Sequence, residues 1–484
     1  MKYKSISLNA LLNAIKTLLQ VIFPLITFPY AARVIGVAGI GKYNFSSSIV
    51  NYFILLSGLG IYSYSVREGS SIRENENEFS LFASEIIEFN IISMIISLII
   101  LIVLCLFWSK LHNYVDLILI LSINIILTTI GCEWVYAIYE EYFYITVRGL
   151  IFQVVSMSCL FLFVHSANDL MIYCITTIIS GTGYNILNIF GLHKKFKFSL
   201  RPISSLKKHF YPIMLLFANS ITTTIYVNSD ITILGMISGD YSVGLYSVST
   251  KVYSIVKSIL ASIIVVSIPR MSHLWARGNK QEFVNLGNTI IKTFYIFTIP
   301  AMVGIFALSD EIIRVISDDS FLCANISMKI LSISLLLSVF NWFFQSAILI
   351  PSKNEKYVLY SSGIAALINV ILNFILIPKY AQNGAAFTTL LAELVSVVIS
   401  YYYSRNLIKI DINMKDVTSS FIGCIYIYIF CIVIKKFIST VFISVAFSII
   451  GSLFGYILIL LSLKNSVAVS IFNKLYLKIQ NNGD

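Results

Sequence analysis

Apolar residues in this chain come in blocks of roughly 20–27, each closed by a short polar break. About 20 apolar residues in a helix rise ~30 Å, the thickness of a bilayer's hydrocarbon core. In lipid every backbone N–H and C=O needs a partner within the chain, so such blocks become helices. The blocks lack the alternation of a membrane β-barrel. Composition agrees: 58% of the 484 residues are hydrophobic, 12% are charged, and mean hydropathy is +0.86. A soluble domain carries about a quarter charged residues. The expected fold class is therefore an all-α polytopic membrane protein.

The blocks predict about fourteen spans, at 8–35, 44–66, 80–107, 114–138, 144–165, 168–192, 210–237, 242–268, 285–308, 325–350, 357–378, 384–404, 417–436 and 441–463. Twelve remain if the pair 144–165 and 168–192, or the last two, does not cross. The first block is too long for a signal-peptide core, contains Pro24 and Pro29, and lacks a small-residue cleavage site, so it reads as a spanning helix. Seven cysteines stand at 105, 132, 159, 174, 323, 424 and 431, with no CxxC pair. They read as small core side chains, with no disulfide and no metal site expected.

Charge sets the orientation. With the N-terminus inside, 22 of the 34 Lys and Arg fall on the cytoplasmic side, Arg148 among them, 7 fall outside and five lie within spans. The positive-inside rule then places both termini in the cytoplasm; the expected location is a bacterial inner membrane. Anionic headgroups account for the net charge of +11 without nucleic acid. The richest inner segment, 193–209, reads HKKFKFSLRPISSLKKH. The expected organisation is an N-terminal lobe at 1–195, a basic cytoplasmic linker at 196–209, a C-terminal lobe at 210–405, and two extra helices with a tail at 406–484.

Two places read alike. V-I-G-V-A-G-I-G-K-Y-N-F-S occupies 34–46, and I-L-G-M-I-S-G-D-Y-S-V-G-L-Y-S-V-S occupies 233–249. Each ends an odd-numbered span, turns on glycines, and opens the next span with G-x-Tyr-polar-apolar-Ser. An even number of spans separates the copies, so this is a parallel repeat about an axis along the membrane normal. Two like six-helix bundles leave a central cavity, and rocking of one against the other changes the side it opens to. Gly36 to Tyr43 also approaches the phosphate loop G-x-x-x-x-G-K-[ST], but Tyr43 stands where Mg²⁺ needs a hydroxyl of Ser or Thr. The glycines read as a turn, not as a nucleotide site.

An ionisable residue inside a span is costly unless hydrated or paired. Lys16, Asp230, Lys251, Lys257 and Glu393 are the clear cases. Asn9, Asn13, Lys16 and Gln20 share one face of the first helix; Asn44, Ser48 and Asn51 do so in the second. Asn219, Thr223, Tyr226 and Asp230 form a stripe in the seventh, and Ser247, Lys251, Ser254 and Ser258 one in the eighth, with Lys257 beside it. These four helices are the repeat copies, so they are expected to line a cationic cavity suited to phosphates and hydroxyl-rich sugars. Asp230 with Lys251 also fits a structural ion pair. Glu393 is expected either to pair with a cavity lysine or to carry a proton.

At this point the sequence resembles Wzx-type flippases of the polysaccharide transporter family, in the multidrug/oligosaccharidyl-lipid/polysaccharide exporter superfamily. The likeness lies in F-P-Y-A-A-R-V-I-G at 28–36, G-K-Y-N-F at 41–45, Tyr52-Phe53, Leu59-Gly60-Ile61, and Arg67-Glu68 with Arg73. It continues in Glu133-Trp134 through Glu140, Arg148, Asn369, Leu372-Asn373, Ile377-Pro378 and Asn383-Gly384-Ala385-Ala386. It covers most of 10–400 and stops before 410; some family members have twelve spans. The resemblance implies export of an undecaprenyl-diphosphate-linked repeat unit for O-antigen or capsule, by alternating access and without a cofactor. It implies polymerase and chain-length proteins as partners, beside membrane lipids. It adds Arg33 and Arg67 to the candidate site. A cation-coupled drug exporter of the same fold would want acids deep in the N-terminal lobe, and the first two spans hold none before Glu68. A polymerase or ligase would need a large outer loop, and the longest outer segment is 309–324.

Overall fold

The computed structural model describes residues 6–193, 195–200, 202–265, 267–411, 413–470 and 472–473; the side chains at 6–21, 203, 204, 219 and 263 lie outside the described residues. No strand occurs among the described residues. Ten helical stretches there are long and apolar enough to cross a bilayer, and a bent pair, Ser205–Ala218 with Ser220–Ser262, makes an eleventh.

The chain divides into two compact units, Met1–Gly244 and Leu245–Asp484. The first holds α1 (Ile6–Gly58), α2 (Ile61–Ile72), α3 (Glu76–Phe107), α4 (Val115–Ile130), α5 (Glu133–Ile138), α6 (Tyr142–Phe163), α7 (Leu170–Ile178), α8 (Asn185–Leu192) and most of α9 (Ile203–Val265). The second holds the end of α9, then α10 (Ile268–Ala276), α11 (Lys280–Ala307), α12 (Ser309–Ile316), α13 (Asn325–Trp342), α14 (Glu355–Ser404), α15 (Met414–Phe437) and α16 (Val441–Ser462). The predicted outer segment 309–324 is filled by α12 and a 3₁₀ turn, Asp319–Ala324.

Polar breaks cap the spans. Asn75 accepts from the Glu78 amide at 3.3 Å to start α3, and Asn279 accepts from Glu282 at 3.3 Å to start α11. Each cap satisfies a donor that a helix leaves open at its first turn. Three helices exceed any bilayer. The span Ile22–Ile72 has 51 residues and Glu355–Ser404 has 50, so either would be about 75 Å long if straight. Each of the long helices is broken: α1 at Gly36 (φ 73°, ψ 174°), α9 at Gly239 (φ 78°, ψ −178°) and α14 at Ala381 (φ 46°, ψ −126°).

Polarity runs opposite to that of a soluble bundle. On α16, Ser444, Ser448 and Ser452 are buried, while Phe442, Ile450 and Phe454 are exposed. On α14 the buried face includes Ser361, Ala365, Asn369, Ala385, Ala392, Ser396 and Ser400. Hydrocarbon gives no reason to bury large apolar groups, so small residues take the helix contacts and let backbones approach. A compact aromatic cluster in the first unit joins Tyr64, Phe79, Phe82, Trp134 and Ile213. In the second unit Ile296, Leu308, Cys424, Ile427 and Tyr456 tie α15 and α16 to α11.

Candidate functional site

The repeat is visible in the backbone. Gly36 and Gly239 hold matching positions in the two motifs and share one conformation, in a region of φ/ψ essentially reserved for glycine. Each break is followed five residues later by a second glycine. A Cβ on Gly41 would lie 1.8 Å from the Asp240 carbonyl oxygen, and one on Gly244 would lie 2.0 Å from the Val37 carbonyl oxygen. The contact is reciprocal, as a local two-fold relation requires. The connection from α3 to α4 holds this turn: Tyr114 Oη donates to Asp240 Oδ1 at 2.6 Å, and Lys110 Nζ donates to the Met236 carbonyl at 3.2 Å.

Beyond the turns the second half of α1 meets the first half of α9 through polar groups. Asn51 Nδ2 donates to Asn228 Oδ1 at 3.2 Å. The Thr232 hydroxyl lies 2.9 Å from Ser48 Oγ and 3.3 Å from Tyr52 Oη. The second-helix stripe therefore bonds across to α9 through Ser48 and Asn51, while its Asn44 donates to the Ile40 carbonyl of the same helix at 2.9 Å. Its partners are Asn228 and Thr232, which the seventh-helix stripe of Asn219, Thr223, Tyr226 and Asp230 passed over. A spacing of four between them was the available signal. Asp230 itself is 6% exposed, in the same stretch of α9.

In the second unit Lys257 and Glu393 meet. Lys257 Nζ donates to Glu393 Oε1 at 3.1 Å and to Tyr253 Oη at 3.2 Å, and Tyr253 Oη lies 3.2 Å from the same carboxylate oxygen. Glu393 is 2% exposed. The pair is formally neutral, so Lys257 offers another anion one remaining N–H, next to a carboxylate that repels it. Lys251 is partly buried on the same helix. Arg33 is exposed on α1. Arg67 is exposed on α2 and pairs with its neighbour Glu68 at 2.9 Å. Lys16, Asn13 and Gln20 lie in the stretch whose side chains are outside the described residues.

Two clusters escaped the sequence reading. Arg148, counted there with the inner-side charges, is 2% exposed. Its guanidinium carbon sits 5.3, 5.2 and 4.9 Å from the ring centroids of Tyr136, Tyr144 and Tyr184, with Glu133 Oε1 at 3.6 Å. The second cluster fastens the start of α9. Tyr64 Oη lies 2.7 Å from His209 Nδ1, and His209 Nε2 lies 3.0 Å from Glu85 Oε2, which also takes Lys208 Nζ at 2.8 Å. Tyr144, one turn before Arg148, and Lys208, next to His209, are local, but the other partners come from distant parts of the chain, so spacing does not reveal the clusters.

Comparison with known proteins defines a class: the chain has the fold of transporters of the multidrug/oligosaccharidyl-lipid/polysaccharide exporter superfamily. Its structure is similar to that of the lipid II flippase MurJ in an inward closed conformation, with a TM-score of 0.72 at 20% identity over 96% of this chain and 99% of that one. It is also similar to an inward-facing multidrug resistance MATE family transporter, with a TM-score of 0.55 at 11% identity over 80% and 97%. A family model described as polysaccharide biosynthesis protein matches residues 7–275, more than half of the sequence, and the chain belongs to that family. A second model, described as MatE, matches residues 212–375. The capsular polysaccharide biosynthesis protein CapF of Staphylococcus aureus is 24% identical over 379 residues, covering 76% of this chain and 91% of that one.

Proposed function

We propose that this protein is a flippase for a lipid-linked oligosaccharide. It takes an undecaprenyl-diphosphate-linked repeat unit from the inner leaflet of the bacterial cytoplasmic membrane and delivers it outside for O-antigen or capsule assembly. The observation that carries the reading is Lys257, an ammonium held against Glu393 within an apolar membrane segment. Such a pair is retained at a cost in lipid, which points to transport of something charged. The similarity to a lipid II flippase and the kinship with a capsular polysaccharide protein point the same way.

In this reading each broken helix supplies two spans, fourteen in all, with both termini cytoplasmic. Lobes at 1–195 and 210–405 rock about the repeat axis, joined by the basic linker at 196–209 and followed by the helices of 406–484. Lys16, Lys251 and Lys257, with Arg33 and Arg67, offset the diphosphate charge. Asn13, Gln20 and Asn51 bond sugar hydroxyls. Glu393 and Asp230 are the groups for a coupling ion or proton. Polymerase and chain-length proteins of the pathway receive the product.

The test is alanine at Lys16, Lys251 and Lys257 in turn, with surface polysaccharide measured against the amount of protein in the membrane. Loss of surface polysaccharide at normal protein level is expected. Normal polysaccharide in all three variants would end this reading.

A further inference from the structure

We propose that Arg148 and the tyrosines around it form an oxyanion site for a phosphoryl group, separate from the lysines assigned above. That the phosphoryl group is the carrier's diphosphate, met at the inner leaflet, rests on the flippase reading.

Arg148 is among the largest fully buried side chains in the protein. Ring faces of Tyr136, Tyr144 and Tyr184 hold its charge at 4.9–5.3 Å, within the range of a cation–π attraction. Yet among the described residues Nε, Nη1 and Nη2 have no hydrogen-bond partner, and Glu133 Oε1 stands back at 3.6 Å from Nη2. Ring faces attract a guanidinium's charge but offer little to its five N–H donors. Buried donors are ordinarily committed. Arg73 shows this on the same side of the unit: its Nη1 donates to the Ile138 carbonyl at 2.8 Å and to Glu140 at 2.9 Å.

Arg148 is thus charged and oriented, with its donors uncommitted. A planar fork of N–H groups matches two phosphate oxygens and is the reason arginine outdoes lysine at such sites. Glu133 is 23% exposed, so it has water to turn to when an anion arrives. Tyr184 Oη, 3.4 Å from Glu133 Oε2, is placed to hold the carboxylate in the interim. By the charge bias this end of α6 faces the inner leaflet.

The experiment measures binding to the full chain in a phosphate-free maltoside detergent. The reporter is Trp134, buried beside Glu133. The probes are undecaprenyl diphosphate, phosphatidylglycerol and inorganic pyrophosphate. Arg148→Lys keeps a cation for the rings and loses the fork; it should weaken binding by at least about ten-fold. Glu133→Gln keeps Arg148 and removes the competing carboxylate; it should tighten binding several-fold. This pattern with undecaprenyl diphosphate supports the site and assigns it to the carrier. The pattern with phosphatidylglycerol alone supports the site and assigns it to a bilayer headgroup. Wild-type affinity for all three probes in both variants overturns it, leaving the flippase reading to Lys257→Ala. If the wild type binds no undecaprenyl diphosphate, the flippase reading fails, and pyrophosphate binding decides the oxyanion site.

Discussion

Gly41 meets Asp240 backbone to backbone, with 1.8 Å between the position a Cβ would take and the carbonyl oxygen. Gly244 meets Val37 in the same way from the other copy of the repeat. No side chain fits either place, and no rotamer relieves the overlap, because the obstacle is backbone. The two turns therefore touch only because both copies kept glycine at the same step.

Gly41→Ala and Gly244→Ala should each force the turns apart. Overpacking of this kind destabilises by about 1–3 kcal/mol. The expected result is a lower unfolding midpoint in detergent and less surface polysaccharide for each variant. Unchanged values for both would show that the contact contributes nothing.

Lys257→Ala should leave the Glu393 carboxylate buried beside Tyr253 without its cation. Breaking one side of a buried pair costs about 3–5 kcal/mol. Adding Glu393→Gln removes the stranded charge, so the double variant should recover much of that loss. Thermal unfolding of both singles and the double gives the coupling as a double-mutant cycle. Additive losses would mean that the pair does not act as one.

His209→Ala removes the ring between Tyr64 and Glu85. The loss leaves two polar groups short of a partner, at about 1–3 kcal/mol each if they stay buried. The start of α9 should loosen from α2 and α3. Hydrogen exchange at residues 205–213 should rise by roughly ten-fold or more, with α15 and α16 unchanged. Exchange equal to the wild type would place the anchor elsewhere.

Cys323 is exposed in the 3₁₀ turn before α13, while the other cysteines are buried or partly so within helices or at their ends. The charge bias puts this turn outside. A membrane-impermeant maleimide should label intact cells at Cys323, and Cys323→Ser should abolish the signal. Labelling only after permeabilisation would invert the topology.

Much of the fold was legible because lipid imposes one requirement on every span, and apolar block length reports it directly. The breaks at Gly36 and Gly239 were legible as a repeated motif. The break at Ala381 falls in the polar gap 379–383 between two predicted spans, so its place was legible too; its positive φ at a non-glycine residue was not, because that conformation has no compositional mark. Within the site, Lys257 and Glu393 stood out singly as ionisable residues in apolar helices. Their pairing depends on how α9 and α14 pack, which spacing along the chain does not encode. Charge side alone counts Arg148 among the inner-side cations. Its burial depends on Tyr136 and Tyr184 from other elements, which spacing does not encode; only Tyr144, one turn back on α6, is a partner that local spacing offers.

The Lys257–Glu393 pair has an electrical consequence. A membrane potential acts on net charge, at about 2.3 kcal/mol per elementary charge per 100 mV. While the ammonium and carboxylate stay together their charges cancel, and the voltage exerts almost no force on that part of the protein. A rearrangement that moves them as a unit is silent to the membrane field, and one that parts them is felt by it.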